Sequence, residues 1–299
     1  MLSGMARIAI IGGGSMGEAL LAGLLRAGRQ VRDLVVAERM PERAAYLADA
    51  YSVLVTSVAD AVDTASFVVV AVKPGDVESV MGEVARAAAA ADSDSAEQVF
   101  VTVAAGITIA YFESRLPAGT PVVRAMPNAA ALVGAGVTAL ARGRFVTDPQ
   151  LGEVSALFDS VGGVLTVPES QMDAVTAVSG SGPAYFLLMV EALVDAGVAA
   201  GLSRQVATAL TAQTMAGSAA MLLERMGSER PVTGGPDGAA APGTLPDATA
   251  AQLRATVTSP GGTTAAALRE LERGGLRIAV DAAVQAAKRR SEQLRITSE

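Results

Sequence analysis

The sequence predicts an α/β fold in two parts, an N-terminal doubly wound parallel sheet followed by an all-helical C-terminal domain. Three observations carry this. Short runs of β-branched residues alternate with helical spacing through the first half, the alternation ends in one last strand at 163–167, and the remainder reads as helix. At 299 residues the chain has the length of two domains of about 150 each. The expected division is residues 1–168 and 169–299.

Ala6 to Ile11 is a short apolar run ending in glycines, a buried strand. Ser15 to Ala27 carries Leu20, Leu21, Leu24 and Leu25 at helical spacing, and Gly28 stops it. Leu34 to Glu38 is a second strand and Pro41 to Tyr51 a second helix. Ser52 to Thr56, Phe67 to Lys73, Val99 to Ala104 and Pro121 to Ala125 continue the alternation. Strands that are apolar throughout and separated by helices belong to a parallel sheet covered on both faces. Residues 87–97 read as a helix end and a polar loop. Leu151 to Val161 is amphipathic, and Gly163 to Val167 is the last strand-like run. Helices follow at Ala184 to Leu202, Ser203 to Met226, Ala248 to Val257, Thr264 to Arg273 and Leu276 to Leu294. Between them Gly227 to Asp247, rich in Gly, Pro and Ala, reads as a mobile loop.

Composition removes whole classes of chemistry. With no His and no Cys, the chain cannot build a Ser-His-Asp triad, a thiolate nucleophile, a structural zinc site or a disulfide, and no metal site is expected. Lysine occurs only at Lys73 and Lys288. A formal charge of −7 has the wrong sign for a phosphate backbone, and 3% aromatics leave few platforms for bases, which argues against nucleic acid. Mean hydropathy is high at +0.41. The longest charge-free run, Gln205 to Leu223, reaches spanning length, but its Thr, Gln and Ser content suits a helix packed between subunits better than a membrane span. The N-terminus enters a strand with no leader-like segment before it, so a soluble cytoplasmic protein is expected.

Gly12, Gly14 and Gly17 form G-x-G-x-x-G directly after the first strand and at the start of the first helix. That is the context of a dinucleotide-binding Rossmann fold: one glycine for the turn, one for approach to a pyrophosphate, and one for close packing of helix on strand. Glu38 stands where an acid binds the ribose 2′-hydroxyl of NAD, and Arg39 next to it suits the 2′-phosphate of NADP. The pair leaves NADPH or NADH open. Ala71-Val72-Lys73-Pro74 and Met126-Pro127-Asn128 each follow a strand, at the end of the sheet where ligands bind, though Lys73 equally suits a surface position and Asn128 a turn. In the helical half, Ser179 to Pro183 and Thr258 to Thr264 each precede a helix. Their N–H groups and hydroxyls suit a carboxylate, and equally suit ordinary capping.

Together these runs resemble the pyrroline-5-carboxylate reductase family along nearly the whole chain: IIGGGSMGEAL (10–20), AVKP (71–74), MPN (126–128), AVTAVSGSGPAY (174–185), VTSPGGTT (257–264) and LERGGLR (271–277). The resemblance implies a Rossmann domain followed by a helical dimerisation domain, in homo-oligomers built from intertwined dimers. It implies reduction of 1-pyrroline-5-carboxylate to L-proline by hydride transfer to a cyclic imine, a reaction that a chain without His or Cys can support. By it, Gly12, Gly13, Gly14, Ser15, Met16, Gly17, Glu38, Arg39, Ala71, Val72, Lys73, Pro74 and Asn128 hold NADPH or NADH. Ser259, Gly261, Gly262, Thr263 and Thr264 bind the substrate, with the Thr264 hydroxyl positioned near the ring nitrogen. Two features depart from the family pattern: Ala129-Ala130 follow Asn128 in place of Thr-Pro, and the Gly227–Asp247 segment is longer than usual. On the residues alone two other readings stay open. One is a hydroxyacid dehydrogenase of similar build, which needs a Lys base where this chain has only Lys288 beside Arg289 and Arg290. The other is a non-catalytic nucleotide-binding redox sensor.

Overall fold

The structure, a computed structural model, describes residues 6–63, 65–90, 98–228 and 249–295. Among the described residues, eight strands form one sheet: β1 Ile8–Ile11, β2 Leu34–Ala37, β3 Leu54–Thr56, β4 Phe67–Val70, β5 Val99–Thr102, β6 Val122–Met126, β7 Gly136–Arg142 and β8 Gly162–Thr166. Their order is β3-β2-β1-β4-β5-β6-β7-β8. The direction of winding reverses at β1, which lies between β2 and β4.

One strand departs from expectation. β7 has no counterpart among the expected strands, and it runs antiparallel to β6 while pairing parallel with β8. Its sequence, GVTALAR, has only two β-branched residues, Val137 and Thr138, beside a Gly and two Ala, a weak strand signal. The pairing direction follows from the connection. Residues 127–135, partly one 3-10 turn at Ala129–Val133, are fewer than the dozen or so that a parallel crossover requires. The close approach of β7 and β8 requires glycine: a Cβ at Gly162, whose φ is +145°, would stand 1.9 Å from the Gly136 carbonyl oxygen.

Helices cover both faces. α1 Ser15–Arg26, α2 Pro41–Tyr51 and, later in the chain, α6 Asp148–Asp159 bury Leu20, Leu21, Leu24, Leu47, Val154, Leu157 and Phe158 against Ile8, Ile10 and Val36. α3 Val58–Asp63, α4 Val77–Ala90 and α5 Ile109–Glu113 bury Val62, Met81, Val84 and Phe112 against Ile11, Val68 and Phe100 on the opposite face. Each such side chain contributes about 1.5–3 kcal/mol on burial. The polar loop expected after α4 falls at 91–97, outside the described residues.

The remaining helices are α7 Met172–Val175, α8 Gly182–Ala199, α9 Arg204–Ser228, α10 Thr249–Thr256, α11 Thr263–Arg273 and α12 Leu276–Gln293. Gly227 and Ser228, expected to begin the mobile loop, end α9; the rest of that segment, through Asp247, lies outside the described residues. By compactness the chain forms two units, residues 1–183 with 284–299, and residues 184–283. The change from strand to helix falls near 168, but Met172 is buried in the sheet's second core, so residues 169–183 pack with the sheet domain. In the helical unit the apolar side chains of Phe186, Leu188, Leu210, Leu223 and Ile278 are exposed, Ile278 at 77%. Glu169–Ala199 and Arg204–Met226 are long and apolar enough to cross a membrane by length and composition.

Ser179 to Pro183 leads into α8, as expected, but not from a loop. It lies inside the continuous helical stretch Glu169–Ala199, where Thr176–Gly180 forms one π-helical turn. The Ser181 N–H donates to the Thr176 carbonyl at 2.9 Å, and the Ser179 hydroxyl to Val175 at 3.1 Å. The Ser181 N–H is thus spent within the helical stretch. Pro183 is the second residue of α8, where its missing N–H costs no helical bond.

Candidate functional site

The glycine loop joins β1 to α1 at the switch in winding. Gly12 has φ +103°, and a Cβ on it would come within 2.9 Å of the Ala71 carbonyl oxygen and 2.8 Å of Val72 Cγ1. Ala71 and Val72 thus back the loop from the end of β4. A Cβ at Gly17 would stand 2.0 Å from the Gly12 carbonyl oxygen, so the helix packs on the turn only with glycine there. At Gly14 a Cβ would meet nothing within 4 Å. Gly14 caps α1, so no side chain bonds the first-turn N–H groups, the setting in which helix N-termini bind anions. Ser15 is exposed and Met16 half-buried on that first turn.

Gly13 is held from both sides. Its N–H donates to Glu38 Oε2 at 2.9 Å, and its carbonyl accepts from Arg43 Nε at 2.6 Å. Glu38 Oε1 accepts from the Met40 N–H, also at 2.9 Å, so both carboxylate oxygens are engaged by backbone. Arg43 also pairs with Glu18 on α1, and Glu18 accepts from Tyr51 Oη at 2.8 Å and Tyr46 Oη at 3.1 Å. Burial opposes the charge on Glu18, but the hydrogen bonds from Arg43, Tyr51 and Tyr46 outweigh it and hold the carboxyl below its usual range. Burial and the Glu18 carboxylate together push the Tyr51 hydroxyl up.

Arg39 takes a different partner. Its Nη2 lies 2.9 Å from Asp76 Oδ1 in the loop after β4, with the guanidinium side chain 72% exposed. Lys73 and Pro74 are exposed where that loop begins a 3-10 turn, Pro74–Asp76, leading into α4. Asn128 follows β6 and uses Oδ1 to accept from the Val137 N–H at 3.2 Å, which closes the turn over Ala129–Val133 and sets the start of β7. Arg43, Glu18 and Asp76 were not singled out in the sequence. A cation and a carboxylate on an amphipathic helix give no signal until the fold brings them to the glycine loop.

A second polar group lies under the sheet. Arg124, in the middle of β6, is 2% exposed; its Nη1 lies 3.3 Å from Glu169 Oε1, and its Nη2 has no partner among the described residues. Glu169 also accepts from the Ile109 N–H at 2.8 Å. Asp173, fully buried, accepts from Ser291 and pairs with Arg295. Charged residues within the apolar runs PVVRA and MDAV were the available clue.

In the helical unit, residues 258–262 form the turn before α11, and Thr263 and Thr264 begin the helix. Gly261 has φ +71°, the Gly262 N–H donates to the Ser259 carbonyl at 3.0 Å, and Gly262 caps the helix with no side-chain bond. Ser259 and Thr263 are exposed and Thr264 is half-buried on the first turn. No side chain caps the N–H groups of the first turn of α11, the setting in which a helix start takes a ligand. Lys288 pairs with Glu292 one turn further along α12, at 3.4 Å, as a helix-surface ion pair.

A family model for pyrroline-5-carboxylate reductase dimerisation matches residues 169–294, and one described as NADP oxidoreductase, coenzyme F420-dependent, matches residues 7–106. The pyrroline-5-carboxylate reductase of Mycobacterium tuberculosis (strain ATCC 25618 / H37Rv) is 80% identical over 100% of both chains. The solved structure of a pyrroline-5-carboxylate reductase from Coxiella burnetii superposes with a TM-score of 0.84 at 32% identity, covering 98% of this chain and 100% of the other. The Plasmodium falciparum pyrroline carboxylate reductase with NADP bound superposes with a TM-score of 0.76 at 27% identity, covering 97% and 98%.

Proposed function

The chain belongs to the pyrroline-5-carboxylate reductase family, and from that membership we infer that it reduces 1-pyrroline-5-carboxylate to L-proline, the last step of proline biosynthesis, with NADPH or NADH as the electron donor. The observation that carries this is the 80% identity over the whole length of both chains. The glycine loop fits the coenzyme: Gly14 leaves open space where a Cβ would stand, and the first turn of α1 has N–H groups free for a pyrophosphate. The donor supplies a hydride to the imine carbon when bound.

The chain's own part is binding and orientation. Gly12, Gly13, Gly14, Ser15, Met16 and Gly17 cradle the pyrophosphate, Glu38 and Arg39 meet the adenosine ribose, and Ala71 to Pro74 with Asn128 line the nicotinamide side. Ser259, Gly261, Gly262 and Thr263 hold the substrate carboxylate with backbone N–H groups and hydroxyls, and Thr264 steadies the ring nitrogen. Water protonates the imine before it binds, so no strong protein acid is needed, which suits a chain without His or Cys. Residues 1–168 act as the dinucleotide-binding domain and 169–299 as the helical dimerisation and substrate domain. The protein is a homo-oligomer. Its intertwined dimer is supported by the exposed apolar side chains of α8, α9 and α12. A cytoplasmic location without nucleic-acid or membrane partners agrees with the net charge of −7.

The test is loss of nicotinamide absorbance on mixing the protein with pyrroline-5-carboxylate and each coenzyme. Proline formation is the expected result. Tight coenzyme binding without turnover would overturn the assignment and favour a sensor.

A further inference from the structure

The Arg39–Asp76 ion pair joins the loops that follow β2 and β4, the two strands that flank β1, and so it sits astride the glycine loop. Its surroundings give each charge near β2 a separate task. Glu38 is committed to the Gly13 and Met40 N–H groups. Arg43 is committed to the Gly13 carbonyl and Glu18. Arg39 alone of these three has no tie to the loop, and its partner is a carboxylate. Asp76 itself is tied locally only through its backbone: its N–H donates to Lys73 and its carbonyl accepts from Ser79, so the side chain is free to serve Arg39.

We propose that Asp76 is a coenzyme-specificity residue: it engages Nη2 of the Arg39 guanidinium and so lowers the preference for NADPH over NADH. The inference rests on the assignment of Arg39 to the coenzyme's adenosine ribose. A 2′-phosphate competes with the Asp76 carboxylate for the Nη2 donor and is repelled by its charge. A 2′-hydroxyl does neither, so the carboxylate penalises NADPH selectively. This makes Asp76 an element acting against one ligand rather than for the other.

Isothermal titration of NADPH and NADH into the wild type, Asp76→Asn, Asp76→Glu and Arg39→Ala separates the possibilities, with thermal unfolding confirming that each variant is folded. Asp76→Asn should tighten NADPH by about two- to fivefold, the range of an exposed ion pair, and leave NADH unchanged. Asp76→Glu, which keeps the pair, should behave as wild type. Arg39→Ala should weaken NADPH about tenfold and NADH little. If Arg39→Ala is selective but Asp76→Asn is not, the role of Asp76 falls and the Arg39 assignment stands. If Arg39→Ala affects both coenzymes equally or neither, the assignment falls and takes the inference with it.

Discussion

The Ser291 hydroxyl donates to Asp173 Oδ1 at 2.7 Å, joining two buried side chains 118 positions apart in the sequence. Arg295 completes the arrangement by pairing with the other carboxylate oxygen. The end of α12 is thereby fastened to the start of α7, over the face of the sheet where Arg124 is buried. A carboxylate out of water is tolerated only with its oxygens satisfied, and here two donors and a nearby guanidinium satisfy it.

Breaking that fastening should cost stability. Asp173→Asn should lower unfolding free energy by about 2 kcal/mol, because it leaves Arg124 buried with less compensating charge, and Ser291→Ala by about 1 kcal/mol. Denaturant midpoints at constant slope measure both. An Asp173→Asn variant as stable as wild type would show that the charge is not compensating Arg124.

The same group sets an acid limb. Burial works to raise the Asp173 pKa, but hydrogen bonds from Arg295 and Ser291 and the charges of Arg295 and Arg124 outweigh it and depress it. Its contribution is therefore complete above the unfolded carboxyl value of about 3.9 and is lost as pH falls through the lower native value. Melting temperature should fall in that acid range for the wild type and fall less steeply for Asp173→Asn. Parallel curves would refute the assignment.

Two glycines of the loop should separate folding from binding. Gly17→Ala forces a Cβ onto the Gly12 carbonyl, so both melting temperature and coenzyme affinity should fall. Gly14→Ala meets only open space, so stability should hold while NADPH affinity falls about tenfold or more. Unchanged affinity would mean that no ligand approaches Gly14.

Thr264→Ala should reduce turnover more than it weakens coenzyme binding, as steady-state rates and titration together would show. An unchanged rate would remove Thr264 from the reaction.

Glu169→Gln should be milder than Glu169→Ala by about 1 kcal/mol in unfolding free energy. The amide oxygen can still accept from the Ile109 N–H and from Arg124, whereas Ala leaves both donors bare. Equal losses would show that the charge, not the acceptor, matters.

The parallel α/β half, its glycine loop and the order of the C-terminal helices are legible in the sequence because their causes are local. Apolar periodicity marks a strand or helix within a dozen residues, and G-x-G-x-x-G carries its backbone requirement in three positions. Tertiary structure alone decides the rest. β7 exists because a Gly/Ala-rich run fills the slot between β6 and β8, and its direction follows from a short connection. Ser179 to Pro183 spans the junction between a π turn, Thr176–Gly180, and α8, within one helical stretch. Asp173 with Ser291, and Arg39 with Asp76, are pairs that no spacing foretells. A charge's partner is set by which loops the sheet order brings together, and a single sequence records each charge without its neighbour in space.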